Sequence, residues 1–281
     1  MAYASAEDGA QIYYETSGNA GDWLVLVSGT GFNSECWKPF QVPYFSKNYR
    51  VVVSDHRGLG NSDKPDMPYT TRMFASDIVA VMDELGIEKA NVAGHSMGGR
   101  VAQWVALDHP QRVQSLVLGA TGSGNFANKP DYIRGIPLDT ALEIAEQGFQ
   151  NYLRRHVEGS FFFNPNFSQK EPVKYKLAVE SHLANLPPLK SYLRHVIARQ
   201  MHETSSMISK ISARTLVLVG DADRQALGTG NHYEASLFLA NRIPHAKLET
   251  VPGARHAFFW EKPEESNETM ARFLDNPVSR G

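Results

Sequence analysis

The sequence predicts an α/β fold: a mostly parallel central sheet flanked by helices, with a helical cap inserted between two of its strands. Three observations predict it. Short runs rich in Val and Leu recur along the chain, with helical patterns between them. Several runs end in glycine, serine or aspartate, as strands do when they deliver a loop to one edge of a sheet. Between about Gly122 and Ser212 the alternation stops, and helical patterns follow one another with no strand among them.

Taken in order, "QIYYET" reads as an edge strand, and "WLVLVSG" and "RVVVSD" as buried strands. "MFASDIVAVMDELG" has apolar residues at helical spacing and stops at Gly86. "ANVAGHS" is a strand leading into the helix "GRVAQWVALDHP", which Pro110 ends; "SLVLGAT" follows as a strand. "LDTALEIAEQGFQNYLRRHV", "VKYKLAVESHLANL" and "SYLRHVIARQMHETSSM" are helical, and "TLVLVGD" and "AKLETVPG" return to strands. The expected division is a core of residues 1–122 and 212–281 with a cap of residues 123–211. Parallel strands joined by helices place ligands beyond their carboxyl ends.

Composition narrows the function. With 281 residues, 42% hydrophobic and 21% charged, the chain has the make-up of a soluble globular protein with a large core. A formal net charge of −2 gives no reason to expect nucleic acid or an anionic membrane as partner. Cys36 stands alone, so no internal disulfide forms. The opening "MAYASAEDGAQIYYETSG" lacks the apolar region of a secretory signal, and no run reaches the ~20 apolar residues of a membrane helix. The expectation is a cytoplasmic protein with a small-molecule substrate, no cofactor and no metal; a homodimer is compatible with the sequence.

"AGHSMGG", residues 93–99, lies where a strand meets a helix and fits G-x-S-x-G around Ser96. A nucleophile on so sharp a turn needs neighbours without bulk at two residues on either side, here Gly94 and Gly98. The turn lifts the hydroxyl off the sheet and aims the N–H of Met97 at the same space. A serine hydroxyl also needs a base, and the base needs an orienting acid. Of ten histidines, His256 follows the last strand pattern through "PGAR" and stands at a carboxyl strand edge. His95 points away from Ser96 as its chain neighbour and reads as structural. His156, His182, His195 and His202 fall in the cap, where solvated helix faces are the plainer reading. His232 falls near the edge, but no strand ends on it. Asp221 and Asp223 follow the strand before the one that delivers His256, and one of the two is expected to face inward. "LVSGTGFNSECW" supplies a second oxyanion donor, the N–H of Thr30 between Gly29 and Gly31.

Together these residues resemble the α/β-hydrolase superfamily from about Gln11 to Leu274. "DHRGLGNSDKP" is similar to its D-x-R-G-x-G-x-S turn, "AGHSMGG" to its elbow, "GDAD" to its G-x-x-D acid turn and "PGARHAFFWEKPEE" to its terminal histidine segment. The resemblance implies a Ser96–Asp223–His256 triad with Asp221 as the solvated member. The region after the cap resembles, loosely, 3-oxoadipate enol-lactonases and related esterases. This chain departs from the family in having Ser28 where a histidine is usual and no proline shortly after the acid, and in a somewhat longer Asp223-to-His256 segment.

The resemblance implies acyl transfer to water from a small ester or lactone. Meta-cleavage-type carbon–carbon hydrolases share the triad but usually carry a Gly-Pro-Gly oxyanion loop and a tryptophan after the histidine; here Ala257 and Phe258 follow. A small-ligand receptor with little turnover is the reading from another class. Phe126, Phe162 and Phe258 are the expected pocket wall, and one member of "FFF" (161–163) is expected to face the cleft. Arg134, Arg154, Arg155, Arg194 and Arg199 are candidates for a substrate carboxylate or for solvated faces.

Overall fold

A computed structural model of the chain describes residues 2–124, 138–224 and 231–275. Eight strands form one sheet: β1 (Ala2–Ser5), β2 (Gln11–Ser17), β3 (Trp23–Val27), β4 (Arg50–Ser54), β5 (Ala90–His95), β6 (Val113–Gly119), β7 (Arg214–Gly220) and β8 (Lys247–Val251). Their order is β1-β2-β4-β3-β5-β6-β7-β8. β3 to β8 pair in parallel, and β1 and β2 add an antiparallel corner. "QIYYET" is therefore not the edge; the short β1 covers it.

The strands read as continuous apolar runs because helices cover both faces. Val25, Val27, Val92, Leu116 and Val217 point to one core, shared with the helices Thr71–Glu84 and Met97–Asp108. Leu24, Leu26, Ala93, Val117 and Leu218 point to the other, with Trp37, Phe259 and Trp260. Local signals set the helix ends as the sequence suggests. The Thr70 side chain caps the N–H of Met73 at 3.0 Å, and Gly86, at φ +62°, takes the left-handed turn after the last residues of that helix.

Between β6 and β7 the described residues form the helices Leu138–Gln147, Phe149–Glu158, Phe167–Lys170, Pro172–Leu183 and Leu189–Gln200, and no strand. Gly148, at φ +80°, splits the first helical pattern in two. The segment's histidines do not form solvated faces: His182, His195 and His202 are buried. Each has a hydrogen-bond partner that makes burial tolerable. His195 Nε2 donates to the Arg57 carbonyl at 2.9 Å, His182 Nδ1 to the Ala178 carbonyl at 2.7 Å, and His202 bonds the hydroxyls of Thr71 and Thr204. Two of the three thereby staple the segment to the sheet domain. Among the described residues no helix is long and apolar enough to cross a membrane.

The chain leaves β3 toward β4 on one side and returns through β5 on the other, which makes a crevice at the carboxyl end of β3. The registers Val27↔Gly94, His95↔Gly119 and Gly220↔Val251 bring the carboxyl ends of β3, β5, β7 and β8 to that one edge.

Candidate active site

Ser96 sits between β5 and the helix that starts at Met97, with φ 55° and ψ −118°. A non-glycine residue in so sparse a region costs about 1–3 kcal/mol and persists only where its surroundings hold it. They do so tightly. Ser96 N–H donates to the Gly119 carbonyl at 2.8 Å, and its own carbonyl accepts from Thr121 Oγ1 at 2.6 Å and Gly99 N–H at 3.1 Å. The flanking glycines are sterically required: a Cβ on Gly94 would lie 2.1 Å from the Gly98 carbonyl oxygen, and one on Gly98 2.1 Å from that of Val27.

The structure brings Ser96, His256 and Asp223 together. Ser96 Oγ is 3.1 Å from His256 Nε2, and His256 Nδ1 is 2.9 Å from Asp223 Oδ2. Burial alone would raise the pKa of Asp223, but the adjacent His232 and His256 outweigh it and hold the carboxyl well below its usual range. Asp223 is thus an acceptor, so Nδ1 of His256 carries the proton and Nε2 is left to accept from the serine hydroxyl. His256 itself is pushed below the ordinary histidine value by burial and by its neighbour His232, against the pull of Asp223. From beneath, His95 Nε2 donates to the His256 carbonyl at 2.8 Å, which gives that buried ring its structural role.

Asp221 is not merely solvated. Its Oδ1 accepts from the N–H of Gly253 at 2.6 Å and fixes the turn that carries the chain from β8 to His256. The loop after the acid, Gln225 to Gly230, lies outside the described residues.

The turn after β3 approaches the serine closely, since a Cβ on Gly29 would be 3.4 Å from Ser96 Cβ. Thr30 is buried there, and its Oγ1 has no hydrogen-bond partner among the described residues. Ser28, in place of the family's histidine, braces this turn: its hydroxyl accepts from Trp37 Nε1 at 3.0 Å and donates to the Asn33 carbonyl at 3.2 Å. The "DHRG" motif braces it from the next strand, where Asp55 Oδ1 accepts from both the N–H and the hydroxyl of Ser34.

Of the expected pocket wall, Phe126 lies outside the described residues. Phe162 is buried, 5.9 Å ring to ring from His256. Phe258 is fully buried and packs on Phe259 and His95 in the core rather than on an open wall. The member of "FFF" that is only half-buried is Phe161, whose ring lies 5.0 Å from that of His256. Tyr192 also reaches the site, its ring against Gly31. Among the arginines, Arg154, Arg155 and Arg194 pair with Glu158, Glu143 and Asp66, and Arg134 lies outside the described residues. Arg199 differs. Its Nε is buried without a partner among the described residues, and its charge acts on Tyr152, His156, Tyr192 and His256.

Sequence reasoning passed over His232. It opens the helix His232–Arg242, with Nδ1 3.4 Å from Asp223 Oδ1 and its ring 4.2 Å from that of His256. Asp223, His232 and His256 place one donor each within 4.8 Å of one another, a set with the chemistry to hold a cation. The 2.9 Å bond between His256 and Asp223 already uses two of those atoms with a proton.

The chain belongs to the α/β hydrolase fold family, whose sequence profile matches residues 22–263. It is 31% identical over 270 residues to a Caulobacter vibrioides protein provisionally named carbamate hydrolase RutD, covering 94% of this chain and 95% of that one. It is 29% identical over 279 residues to a 2-hydroxy-6-oxononadienedioate/2-hydroxy-6-oxononatrienedioate hydrolase of Burkholderia vietnamiensis, covering 95% and 93%. Among solved structures, the enol-lactonase of Burkholderia xenovorans superimposes with a TM-score of 0.82 at 25% identity, over 98% of this chain and all (100%) of that one. Family and relatives together make the chain a hydrolase.

Proposed function

We propose that this hydrolase cleaves a small ester or lactone through a Ser96–His256–Asp223 triad. The continuous path Oγ–Nε2 at 3.1 Å and Nδ1–Oδ2 at 2.9 Å carries the reading. In it, Nε2 of neutral His256 takes the proton as Ser96 Oγ attacks the acyl carbon, and Asp223 stabilises the imidazolium. The N–H groups of Thr30 and Met97 receive the negative charge on the former carbonyl oxygen. His256 then protonates the leaving oxygen, and water activated by the same ring releases the acid from the acyl-enzyme. Residues 123–211 act as a cap, with Phe161, Phe162 and Tyr192 closing over the acyl group and Arg199 favouring one that carries a carboxylate.

The second reading is carbon–carbon hydrolysis of a dienoate. It is favoured by the similarity to the Burkholderia vietnamiensis hydrolase and by Arg199, and disfavoured by Ala257 and Phe258 after the histidine and by "SGTGFNS" without proline. The name of the Caulobacter relative adds carbamates to the substrates worth measuring. A panel of aryl esters, lactones, carbamates and a meta-cleavage dienoate decides: kcat/KM is expected to be highest on an ester or lactone. A higher value on the dienoate or carbamate reassigns the activity, and no turnover of any, with no organophosphonate label at Ser96, points to a receptor.

A further inference from the structure

The carboxylate of Asp223 has two oxygens, and the bond to His256 uses one. Oδ1 is buried, with no hydrogen bond inside normal limits among the described residues. Facing it at 3.4 Å is Nδ1 of His232, itself buried and without a hydrogen bond. Two buried polar atoms left unsatisfied side by side are costly, and a shift of a few tenths of an ångström joins them. The surroundings point His232 at the acid. Tyr233 N–H donates to the Asp223 carbonyl at 3.1 Å, and the Asn231 side chain caps the N–H groups of Tyr233 and Glu234. The His232 ring lies against that of His256, 4.2 Å between centroids and 32° between planes, and Phe161 flanks both.

We propose that His232 is a positioning residue: a second imidazole that clamps the free oxygen of Asp223 while lying against the ring of His256. The proposal rests on the triad reading above. Held at both oxygens, the carboxylate cannot turn out of line with the Nδ1–H of His256. The adjacent His232 ring also lowers the proton affinity of His256. The other groups around His256 act differently. Burial keeps the rings of His95, His156 and His182 uncharged to well below neutral pH, and Arg199 opposes charge on His256 whether or not His232 is present. Asp223 attracts the charge on His256. Loss of His232 therefore raises the proton affinity of His256, and the acid limb of activity moves to higher pH.

The test is the pH dependence of kcat/KM for p-nitrophenyl acetate in the full-length protein, His232→Phe and His232→Asn. Phe keeps the ring packing without a donor; Asn keeps an N–H donor where Nδ1 stands, without a charge. His232→Phe is expected to lose about tenfold in kcat with little change in KM, and its acid limb to move up. His232→Asn is expected to recover kcat but keep the shifted limb. An acid limb in both variants that coincides with the parent's overturns the proposal, as does full kcat in His232→Phe. Should neither variant fold, proton NMR of the unaltered, 15N-histidine-labelled protein decides: the proposal requires low-field Nδ1–H signals from both His232 and His256, and one signal alone contradicts it. Ser96→Ala in the same assay tests the triad itself, so failure of that reading shows separately.

Discussion

Asp221 accepts a hydrogen bond from the N–H of Gly253 at 2.6 Å, three residues before His256. The two aspartates of "GDAD" therefore divide the work: Asp221 fixes the turn that delivers the histidine, and Asp223 meets the histidine itself. Asp223→Asn should lower kcat by on the order of 10⁴, because an amide favours the wrong tautomer of His256. Asp221→Asn keeps an acceptor for Gly253 and should leave kcat nearly unchanged, while Asp221→Ala should lose about 1–2 kcal/mol of stability. Steady-state kinetics with denaturant titration checks all three, and the reverse ranking would make Asp221 the acid.

The elbow is an unforgiving part of the backbone. A Cβ on Gly98 would press 2.1 Å from the Val27 carbonyl oxygen, a strand atom with nowhere to move. Gly98→Ala should cost about 2–3 kcal/mol and most of the activity. Gly253, at φ +71° but with nothing within 4 Å of a Cβ, is the control: it isolates backbone strain from the steric clash. Gly253→Ala should cost only about 1 kcal/mol of backbone strain. Thermal melts of the two variants should differ by several degrees; equal melts would remove the steric argument.

Buried histidines make the fold sensitive to acid. Burial pushes His56 and His182 down to about 4 and His195 to about 3. The unfolded chain takes up these protons near the ordinary value of about 6.5, whereas the folded chain resists them. Protons thus bind the unfolded state preferentially in that interval, and stability rises with pH through it. Each such ring contributes up to about 1.4 kcal/mol per pH unit. Urea midpoints should fall steeply from pH 6.5 to 4.5, and less steeply in His195→Phe; a flat profile would contradict the burial assigned to these rings.

The proposed function gives Arg199 a preference among substrates to set. Arg199→Met should lower kcat/KM for a mono-p-nitrophenyl ester of adipic acid by about ten- to a hundredfold, the effect of losing one charged hydrogen bond. The neutral hexanoate ester of the same length should change little. Equal losses on both would mean that Arg199 only packs.

Much of the site was legible in the sequence because it depends on local constraints. Gly94, Ser96 and Gly98 are required by one turn, Asp223 follows an unmistakable Leu and Val run, and His256 follows the last strand pattern, "KLETV". What the sequence hid depends on distant partners. His232 starts a helix after a loop, and only the fold brings it beside Asp223. The burial of His195 rests on the carbonyl of Arg57, 138 residues away. "FFF" carries no period at its turn, so the sequence did not say which ring would come nearest the site; Phe161 is the one nearest His256. β1 is four residues of mixed polarity, too short to read before its pairing with β2 is seen.

The central claim is that Ser96 carries the acyl group. Intact-protein mass spectrometry, after mixing with p-nitrophenyl acetate and rapid acid quench, tests it most directly. The parent protein should gain one acetyl group, mapped by peptide analysis to Ser96, with a burst of p-nitrophenol of matching size. Ser96→Ala should show neither acetyl nor burst and should lose turnover. Undiminished hydrolysis by Ser96→Ala, or an acetyl group mapped elsewhere, would contradict the account.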